Sequence, residues 1–374
     1  MRKKIFYTSI YSPSQISEWS GLGYHIHSML KMQGLELELV SPLAYNPSAV
    51  VKIISRVNKN LVLPREKSVI KNYAIQIEQK IKNRNGVIFS PGTLPVAYYK
   101  GSNPVVIYTD ATFASIAGYY TEFKNWAARA IRTAHEIEKA ALHRADLLLY
   151  ASDWAAQSAI NDYGIDPGKV RVVPFGANIK EIPDNDTVLA SIQKKVQKTL
   201  EILFVGVDWK RKGGDKVLEV FDYIRKKGID ARLHIAGPHT SPIKEARDDI
   251  FYYGFLDKHD ENDEKLLQSL FSNAHFFVML SESECYGLVY CEANAYGTPV
   301  VGFNTGGVST IITEANGVLL DIATKKEEIS ELLISLFENK NRYYNLCVSS
   351  YKMFANKFNW HHAGYQIKQL LENL

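Results

Sequence analysis

The chain has 374 residues, of which 46% are hydrophobic and 22% are charged, and its formal net charge is +4 at pH 7. This balance excludes a disordered chain and is typical of a soluble protein with two domains of ordinary size. No apolar run approaches the ~18 residues that span a bilayer, and so small a net charge gives no reason to expect a nucleic-acid partner. The three cysteines, Cys285, Cys291 and Cys347, lack the spacing of a metal site and favour a cytoplasmic location.

Short runs of β-branched and aromatic residues alternate with longer helical patterns along the whole chain. Strands separated by helices predict parallel sheets with right-handed crossovers. Six strands are predicted in each half, at residues 4–9, 35–40, 86–90, 105–108, 147–151 and 170–174, and then at 201–205, 233–236, 251–255, 275–280, 300–303 and 318–321. The predicted fold class is therefore α/β, with two doubly wound, Rossmann-like domains that face each other across a ligand-binding cleft.

The boundary between the two domains is predicted after the strand that ends near Pro174. A polar stretch with Pro183 and many charges follows over residues 178–198, which indicates a connection rather than a strand. We therefore assign residues 1–177 to an N-terminal domain and 178–356 to a C-terminal domain. A last helix within residues 357–374 is expected to pack back on the N-terminal domain.

Positive charge is concentrated in residues 52–84, which contain nine Lys or Arg and two Glu. Apolar residues recur there at helical spacing, as at Val69, Tyr73 and Ile77. A basic amphipathic surface of this kind can lie on anionic lipid, although a helix with a solvated charged face explains the same pattern. A peripheral contact with the inner face of a membrane is therefore one of the two interpretations of this segment.

The segment of residues 281–301 carries the strongest chemical signal. It follows a predicted buried strand, and a helix is expected to begin near Gly287, where free backbone N–H groups suit a phosphate. Glu284 precedes this helix and Glu292 lies inside it, so the two carboxylates could reach opposite ends of one elongated ligand. Glu292 could accept hydrogen bonds from ribose hydroxyls, and Glu284 could hold the hydroxyls of a sugar beyond a diphosphate.

This segment resembles glycosyltransferase family 4, whose members have the GT-B fold. The family carries two glutamates separated by seven residues, within Glu-x-aromatic-Gly-Leu and Glu-Ala-x-Ala-x-Gly-x-Pro-Val-Val. The matching residues in this chain are Glu284, Tyr286, Gly287, Leu288, Glu292, Ala293, Ala295, Gly297, Pro299, Val300 and Val301. The resemblance implies a retaining transferase that uses a nucleotide-sugar donor, with Tyr286, Gly287, Leu288 and Val289 at the donor site.

Further residues that follow predicted strands are assigned to the site by the same resemblance. Arg211 and Lys212 would neutralise a diphosphate leaving group, although Val207 stands where the family usually has its Arg. Gly306 and Gly307 resemble a second glycine pair of the family, and Thr310 stands where an acid is common. In the first half, Gly21 and Gly23 resemble the glycine-rich loop that closes over the diphosphate.

Two further positions are assigned with open alternatives. Asp110 follows the fourth predicted strand, where many members have a histidine, and it could contact donor hydroxyls or the acceptor, or cap a helix. The stretch around Phe255 is expected to contact the nucleobase. Asp184 and Asp186 have the Asp-x-Asp form of metal-binding transferases, but they lie in the predicted connection and are interpreted as part of a linker turn. No metal and no cofactor are therefore predicted.

The predicted function is transfer of a sugar from a nucleoside-diphosphate sugar to an acceptor hydroxyl, with retained configuration and without a metal. The resemblance implies that the C-terminal domain binds the nucleotide sugar and that the N-terminal domain is the acceptor side. The acceptor could be a glycan, a lipid-linked sugar or a small metabolite, and a role in surface glycan or glycolipid assembly is one hypothesis. A nucleotide-sugar epimerase or hydrolase on the same fold is the main alternative. An NAD-dependent oxidoreductase is disfavoured because Ile26 stands where a dinucleotide fingerprint has its third glycine.

Overall fold

The computed structural model describes residues 4–15, 18–47, 65–82, 84–195 and 199–374. It divides into two compact units, one formed by Met1–Phe175 with Trp360–Leu374 and the other by Gly176–Asn359. The sequence analysis placed the corresponding changes after residues 177 and 356. None of the described helices is both long and apolar enough to cross a membrane.

The described part of the first unit contains one parallel sheet of six strands, in the order β2-β1-β3-β4-β5-β6. The strands are β1 Ile5–Tyr7, β2 Leu37–Leu39, β3 Val87–Ser90, β4 Val105–Thr109, β5 Leu147–Tyr150 and β6 Val170–Val172. Strands β3, β4 and β5 are buried along their whole length, because helices cover both faces of a doubly wound sheet. The chain moves from β1 to β2 on one side and then to β3 on the other, so its topological switch point lies between β1 and β3.

Helices connect these strands. They are α1 Leu22–Met32, α2 Lys67–Ile81, α3 Phe113–Ala117, α4 Ala128–Arg144 and α5 Asp153–Tyr163. Helix α2 lies in the basic segment, and its apolar face, including Val69, Tyr73 and Ile77, is part of the core of the unit. These side chains are therefore not available to a lipid surface, which corrects that part of the amphipathic interpretation. Residues 48–64 and Asn83 of the same segment lie outside the described residues.

The second unit repeats this architecture with the strand order β12-β11-β10-β7-β8-β9, again with parallel pairing. The strands are β7 Leu200–Val205, β8 Ala231–Ala236, β9 Ile250–Gly254, β10 Phe276–Met279, β11 Val300–Phe303 and β12 Gly317–Leu320. All twelve predicted strands are present, and the prediction of two Rossmann-like sheets is confirmed. The switch point of the second sheet lies between β7 and β10.

Further helices follow β6 along the chain, and the sequence analysis missed the first of them. They are α6 Asn185–Lys194, α7 Gly214–Lys226, α8 Glu261–Asn273, α9 Leu288–Ala295, α10 Val308–Ile311, α11 Lys326–Glu338, α12 Lys340–Asn356 and α13 Trp360–Glu372. Helix α6 lies in the stretch interpreted as a polar connection. Only Val188 and Ile192 form its buried face, so its apolar stripe is too short to stand out in the sequence.

The Asp-x-Asp sequence is likewise not a linker turn, because it starts helix α6. The carboxylate of Asp184 accepts hydrogen bonds from the Thr187 backbone N–H at 2.9 Å and from the Thr187 hydroxyl at 2.5 Å. These bonds hold the pKa of Asp184 below its usual value. Asp184 is thus an N-cap, which satisfies an N–H group that the helix leaves without an intrahelical partner.

Candidate active site

The turn after β7 brings Lys212 to the end of β10. The Lys212 N–H bonds to the Asp208 carbonyl at 2.9 Å and the Gly213 N–H to the Lys210 carbonyl at 3.1 Å, which closes the turn. Gly213 has a φ of 75°, and a Cβ atom at this position would lie 2.0 Å from the Leu280 carbonyl oxygen. A side chain here would therefore push the turn away from β10, so the close approach requires glycine.

Lys212 and Glu284 form an ion pair across the switch point of the second sheet. The Lys212 Nζ donates a hydrogen bond to the Glu284 Oε2, and the two side chains are only 16% and 10% exposed. Lys212 follows β7 and Glu284 follows β10, which are neighbouring parallel strands. Because ligands of open α/β sheets bind beside the carboxyl ends of strands at a switch point, this pair marks the candidate site.

The loop between β10 and α9 is fixed by its own hydrogen bonds. The Ser281 hydroxyl donates to the Arg211 carbonyl at 2.9 Å, and the buried Tyr290 hydroxyl donates to the Met279 carbonyl at 2.7 Å. Gly287 is the N-cap of α9 with a φ of 97°. Leu288 and Val289 are the first two residues of the helix, where backbone N–H groups lack an intrahelical partner and suit an anion. The next N–H group, that of Tyr290, donates to the Gly287 carbonyl at 3.0 Å.

The loop after β11 joins the same site. The Gly307 N–H donates to the Cys285 carbonyl at 2.9 Å, and the Thr305 hydroxyl donates to the Glu282 carbonyl at 2.8 Å. Gly306 has a φ of 51° and lies between these two contacts. The structure therefore brings the predicted pair Gly306 and Gly307 beside the loop that carries Glu284 and Tyr286.

Glu292 has a different partner, which the sequence analysis did not identify. Its Oε1 accepts a hydrogen bond from the Lys258 Nζ at 2.5 Å, and the Glu292 side chain is 4% exposed. Lys258 lies between β9 and α8 in a polar turn that carries no motif, so no local pattern distinguishes it from an ordinary surface lysine. Glu292 and Lys258 line a small cavity together with Asn178 and Ile179.

Two predicted residues of the second unit lie in more exposed places. The Arg211 side chain is 39% exposed, and its Nε lies 3.5 Å from the Asp208 Oδ2. Phe255 is 46% exposed and stacks on His239, with 4.8 Å between the ring centroids. The structure thus joins Lys212 and Glu284 directly, whereas the assignments of Arg211 and Phe255 stay predictions.

The predicted residues of the first unit lie near the switch point of its own sheet. Gly21 has a φ of 80° and caps α1, whereas Gly23 lies inside α1 and its carbonyl accepts a hydrogen bond from the Tyr7 hydroxyl at 2.8 Å. Before them, Trp19 and Ser20 have φ values of 48° and 52°. This left-handed conformation costs about 1–2 kcal/mol for each such residue, and such strain is concentrated at functional sites.

Asp110 follows β4 and lines a cavity in the first unit. It does not cap the next helix, as one alternative proposed. Thr112 caps α3, because its hydroxyl accepts a hydrogen bond from the Ser115 N–H while the Ser115 hydroxyl accepts one from the Thr112 N–H. The reciprocal bonds of this capping box satisfy both N–H groups at the start of α3.

Comparisons with known proteins agree with this architecture. Residues 187–353 match the family model described as "Glycosyl transferases group 1". D-inositol 3-phosphate glycosyltransferase of Xylanimonas cellulosilytica is 25% identical over 195 residues, which cover 49% of this chain and 47% of that protein. The match therefore spans about half the length of that curated relative.

Two solved structures resemble the whole chain. Sucrose-phosphate synthase from Thermosynechococcus elongatus has a TM-score of 0.69 at 17% identity, covering 100% of this chain and 99% of the other. Anabaena HepE in complex with UDP-glucose has a TM-score of 0.65 at 14% identity, covering 100% of both chains. At these identities the likeness shows the fold, which is GT-B. The chain thus has the GT-B fold, and its residues 187–353 match the glycosyl transferases group 1 family model, in agreement with the resemblance of residues 284–301.

Proposed function

We propose that this protein is a glycosyltransferase that moves a sugar from a nucleoside-diphosphate sugar to an acceptor hydroxyl. The observation that carries the proposal is the Lys212–Glu284 pair at the switch point of a sheet whose unit matches a glycosyltransferase family model. Anabaena HepE was solved with UDP-glucose, which supports testing UDP-sugars first. The relative named for D-inositol 3-phosphate supports a small polyol or sugar among the acceptors to be tested.

The side chains at the site suggest a division of roles. A lysine ammonium has three N–H donors, so Lys212 can hold Glu284 and still donate to a phosphate oxygen of the donor. Its charge would then stabilise the negative charge that develops on the departing diphosphate. Glu284 would accept hydrogen bonds from hydroxyls of the donor sugar, and Glu292, held by Lys258, from ribose hydroxyls.

The finer features of the reaction are also proposed. The stereochemistry is retention, with attack from the side of the leaving group, since no residue of the described site is a convincing nucleophile for a double displacement. We further propose that no metal is required, because Lys212 and the first turn of α9 would supply the positive charge. Contact of the basic residues in 52–84 with an anionic membrane surface is a separate proposal, which co-sedimentation with phosphatidylserine vesicles tests.

The first experiment is thermal unfolding with UDP, GDP, ADP, their glucose or mannose derivatives, and NAD. A ligand at 100 times its Kd should stabilise the protein by about 2.7 kcal/mol. We expect a shift with one nucleoside diphosphate, reduced in Glu292→Ala. A shift with NAD and with none of the diphosphates would overturn the proposal.

The second experiment measures turnover of the donor identified in this way. Lys212→Ala should lower kcat by about 10²–10³-fold, the usual cost of one donor to a developing anion. Lys216→Ala is the matched control, because Lys216 pairs with the exposed Glu282 and its side chain is 45% exposed. Near-normal turnover in Lys212→Ala would contradict the role of Lys212 in stabilising the departing diphosphate. Equal consumption of the donor with and without acceptors would instead favour an epimerase or hydrolase.

A further inference from the structure

Lys258 lies in a turn that its neighbours in the chain hold in place. The Asp257 N–H donates to the Asp263 Oδ2 at 2.9 Å, and the Asp257 Oδ1 accepts a hydrogen bond from the His259 N–H at 2.9 Å. The turn follows β9 and lies at the carboxyl edge of the second sheet, where open α/β sheets bind ligands. Lys258 therefore reaches Glu292 from a backbone position that is fixed before a ligand binds.

Glu292 is a buried carboxylate with a protein donor already in place. Its side chain is 4% exposed, and its Oε1 accepts a hydrogen bond from the Lys258 Nζ at 2.5 Å. A carboxylate has two oxygens, so it can accept from each of two neighbouring hydroxyls of a ribose. The Lys258 ammonium takes one of these positions, and a ligand hydroxyl meets a carboxylate that already has a partner.

The space beside this pair is small. Glu292 and Lys258 line a cavity of about 20 Å³, and a group of the size of water needs about 10–15 Å³ of such volume. The wall includes Phe271 and Tyr296, whose buried rings stack with 5.9 Å between their centroids. Close-packed rings of this kind resist being pushed apart. The cavity thus has room for one hydroxyl beside Glu292 but not for two neighbouring ones.

The protein donor changes what the loss of a ligand hydroxyl costs. A site that depends on a substrate hydroxyl rejects an analogue without it by about 10⁴–10⁵-fold, because a buried polar group is then left unpaired. Lys258 keeps Glu292 paired when a hydroxyl is missing. Only the net contribution of one hydrogen bond is then lost, which is about 10-fold in affinity or less.

We propose that Lys258 is a specificity-determining residue that lets the donor site accept 2′-deoxyribose as well as ribose. The inference rests on the proposed transferase function, and it widens the donor class to deoxynucleoside-diphosphate sugars. Glu292 needs one hydroxyl of the pentose, and Lys258 takes the place of the other. Displacement of Lys258 by ribose would have the opposite consequence, because both oxygens of Glu292 would then depend on ligand hydroxyls.

Isothermal titration calorimetry on the full chain tests the proposal with UDP, GDP and ADP, each compared with its 2′-deoxy counterpart. For the ribonucleotide that binds most tightly, the 2′-deoxy form should bind at most about 10-fold more weakly. In Lys258→Met, which keeps an apolar stem and removes the ammonium, the ratio of the two Kd values should rise by at least about 10-fold, since Glu292 then loses its protein donor.

Two further variants separate this role from a structural one. Lys258→Arg should keep the Kd ratio of the wild type, because a guanidinium also donates to a carboxylate. Lys265→Met is the matched control, because Lys265 pairs with Glu261 on α8 and its side chain is 67% exposed. Melting temperatures show whether each variant is folded, and the wild-type ratio is a test that needs no variant.

Two results would overturn this inference alone. They are a wild-type Kd ratio above about 10-fold, as displacement of Lys258 predicts, and a rise of less than about 10-fold in folded Lys258→Met. Binding of none of the three ribonucleoside diphosphates would instead contradict the proposed function, and the inference with it. Tight binding of a ribonucleotide together with either of the first two results leaves the proposed function intact.

Discussion

Two buried glutamates of the second unit pair with lysines that lie far from them in the chain. Lys212 meets Glu284, and Lys258 meets Glu292. Removing one partner of a buried pair typically costs 3–5 kcal/mol, because the remaining charge is left uncompensated. The Lys212–Glu284 pair is therefore an expensive place to substitute, whereas the Lys258 side chain is 41% exposed, so water screens its charge.

His275 is a buried titratable group outside the candidate site, and it predicts the acid sensitivity of the second unit. Its Nδ1 accepts a hydrogen bond from the Glu201 N–H at 3.0 Å, so its Nε2 is the protonated nitrogen and donates to the Lys195 carbonyl at 2.6 Å. Burial lowers the pKa of His275 to about 4. Below pH 6.5 the unfolded chain binds a proton at this residue, whereas the folded chain does so only near pH 4.

The free energy of unfolding should therefore fall as the pH falls from 6.5 to about 4. The contribution of His275 is about 1.4 kcal/mol for each pH unit in this window, or about 3 kcal/mol in total. Urea unfolding of the wild type and of His275→Gln at pH 7, 6, 5 and 4 measures it. We expect the stability advantage of the wild type to shrink on acidification, and parallel pH profiles would contradict the assignment.

At the scale of elements, the start of each helix decides what its first turn can contact. Helix α6 begins at a carboxylate cap, Asp184, which accepts a hydrogen bond from the Thr187 N–H group. Helix α9 begins at Gly287 with no side-chain cap, so its first N–H groups are accessible to a different kind of partner. The residues that precede these two helices, Asp184 and Gly287, thus have different consequences for the first turn that follows.

Gly287→Ala tests the start of α9. The new Cβ atom would lie 2.6 Å from the Tyr290 ring at a φ of 97°, so we expect a loss of about 1–3 kcal/mol in the free energy of unfolding. The UDP-induced thermal shift should decrease as well. Gly118→Ala is the control, because Gly118 has a φ of −98° and no atom within 4 Å of an added Cβ. Equal stability of the two variants would show that α9 tolerates a different start.

At the scale of the whole molecule, the first unit is assembled from two distant parts of the chain. Helix α13 follows the second unit in sequence and belongs to the first, where Trp360 stacks on His25 at 5.9 Å and packs against Phe175 at 5.7 Å between ring centroids. Gly364 permits close approach to α1, since a Cβ there would lie 2.9 Å from the Met29 side chain. The stability of the first unit therefore depends on the last residues of the chain.

Trp360→Ala should destabilise the first unit by about 3–5 kcal/mol, the usual cost of truncating a buried large aromatic side chain. Hydrogen exchange should then increase in β1 and α1 and stay unchanged in β7 and β10. Tyr365→Ala in the same helix is the matched control, because Tyr365 is 53% exposed. An equal increase of exchange in both units would contradict this division of stability.

The sequence by itself determined the strands, the glycosyltransferase segment and the residue types of the site. These follow from local causes, namely continuous apolar runs, the turns that interrupt them and the first turn of α9 after Gly287. Helix α6 escaped prediction because its buried face is only Val188 and Ile192. Two apolar residues are too few to give a helical periodicity that can be distinguished from the polar residues around them.

Only the tertiary structure decided which side chains meet. Strand order places β7 beside β10, and this brings Lys212 to Glu284 although they are 72 positions apart in the chain. The packing of the second unit likewise pairs Lys258 with Glu292, which are 34 positions apart in the chain. Pairing across a sheet is set by the order of strands and the packing of helices, which no short window of sequence contains.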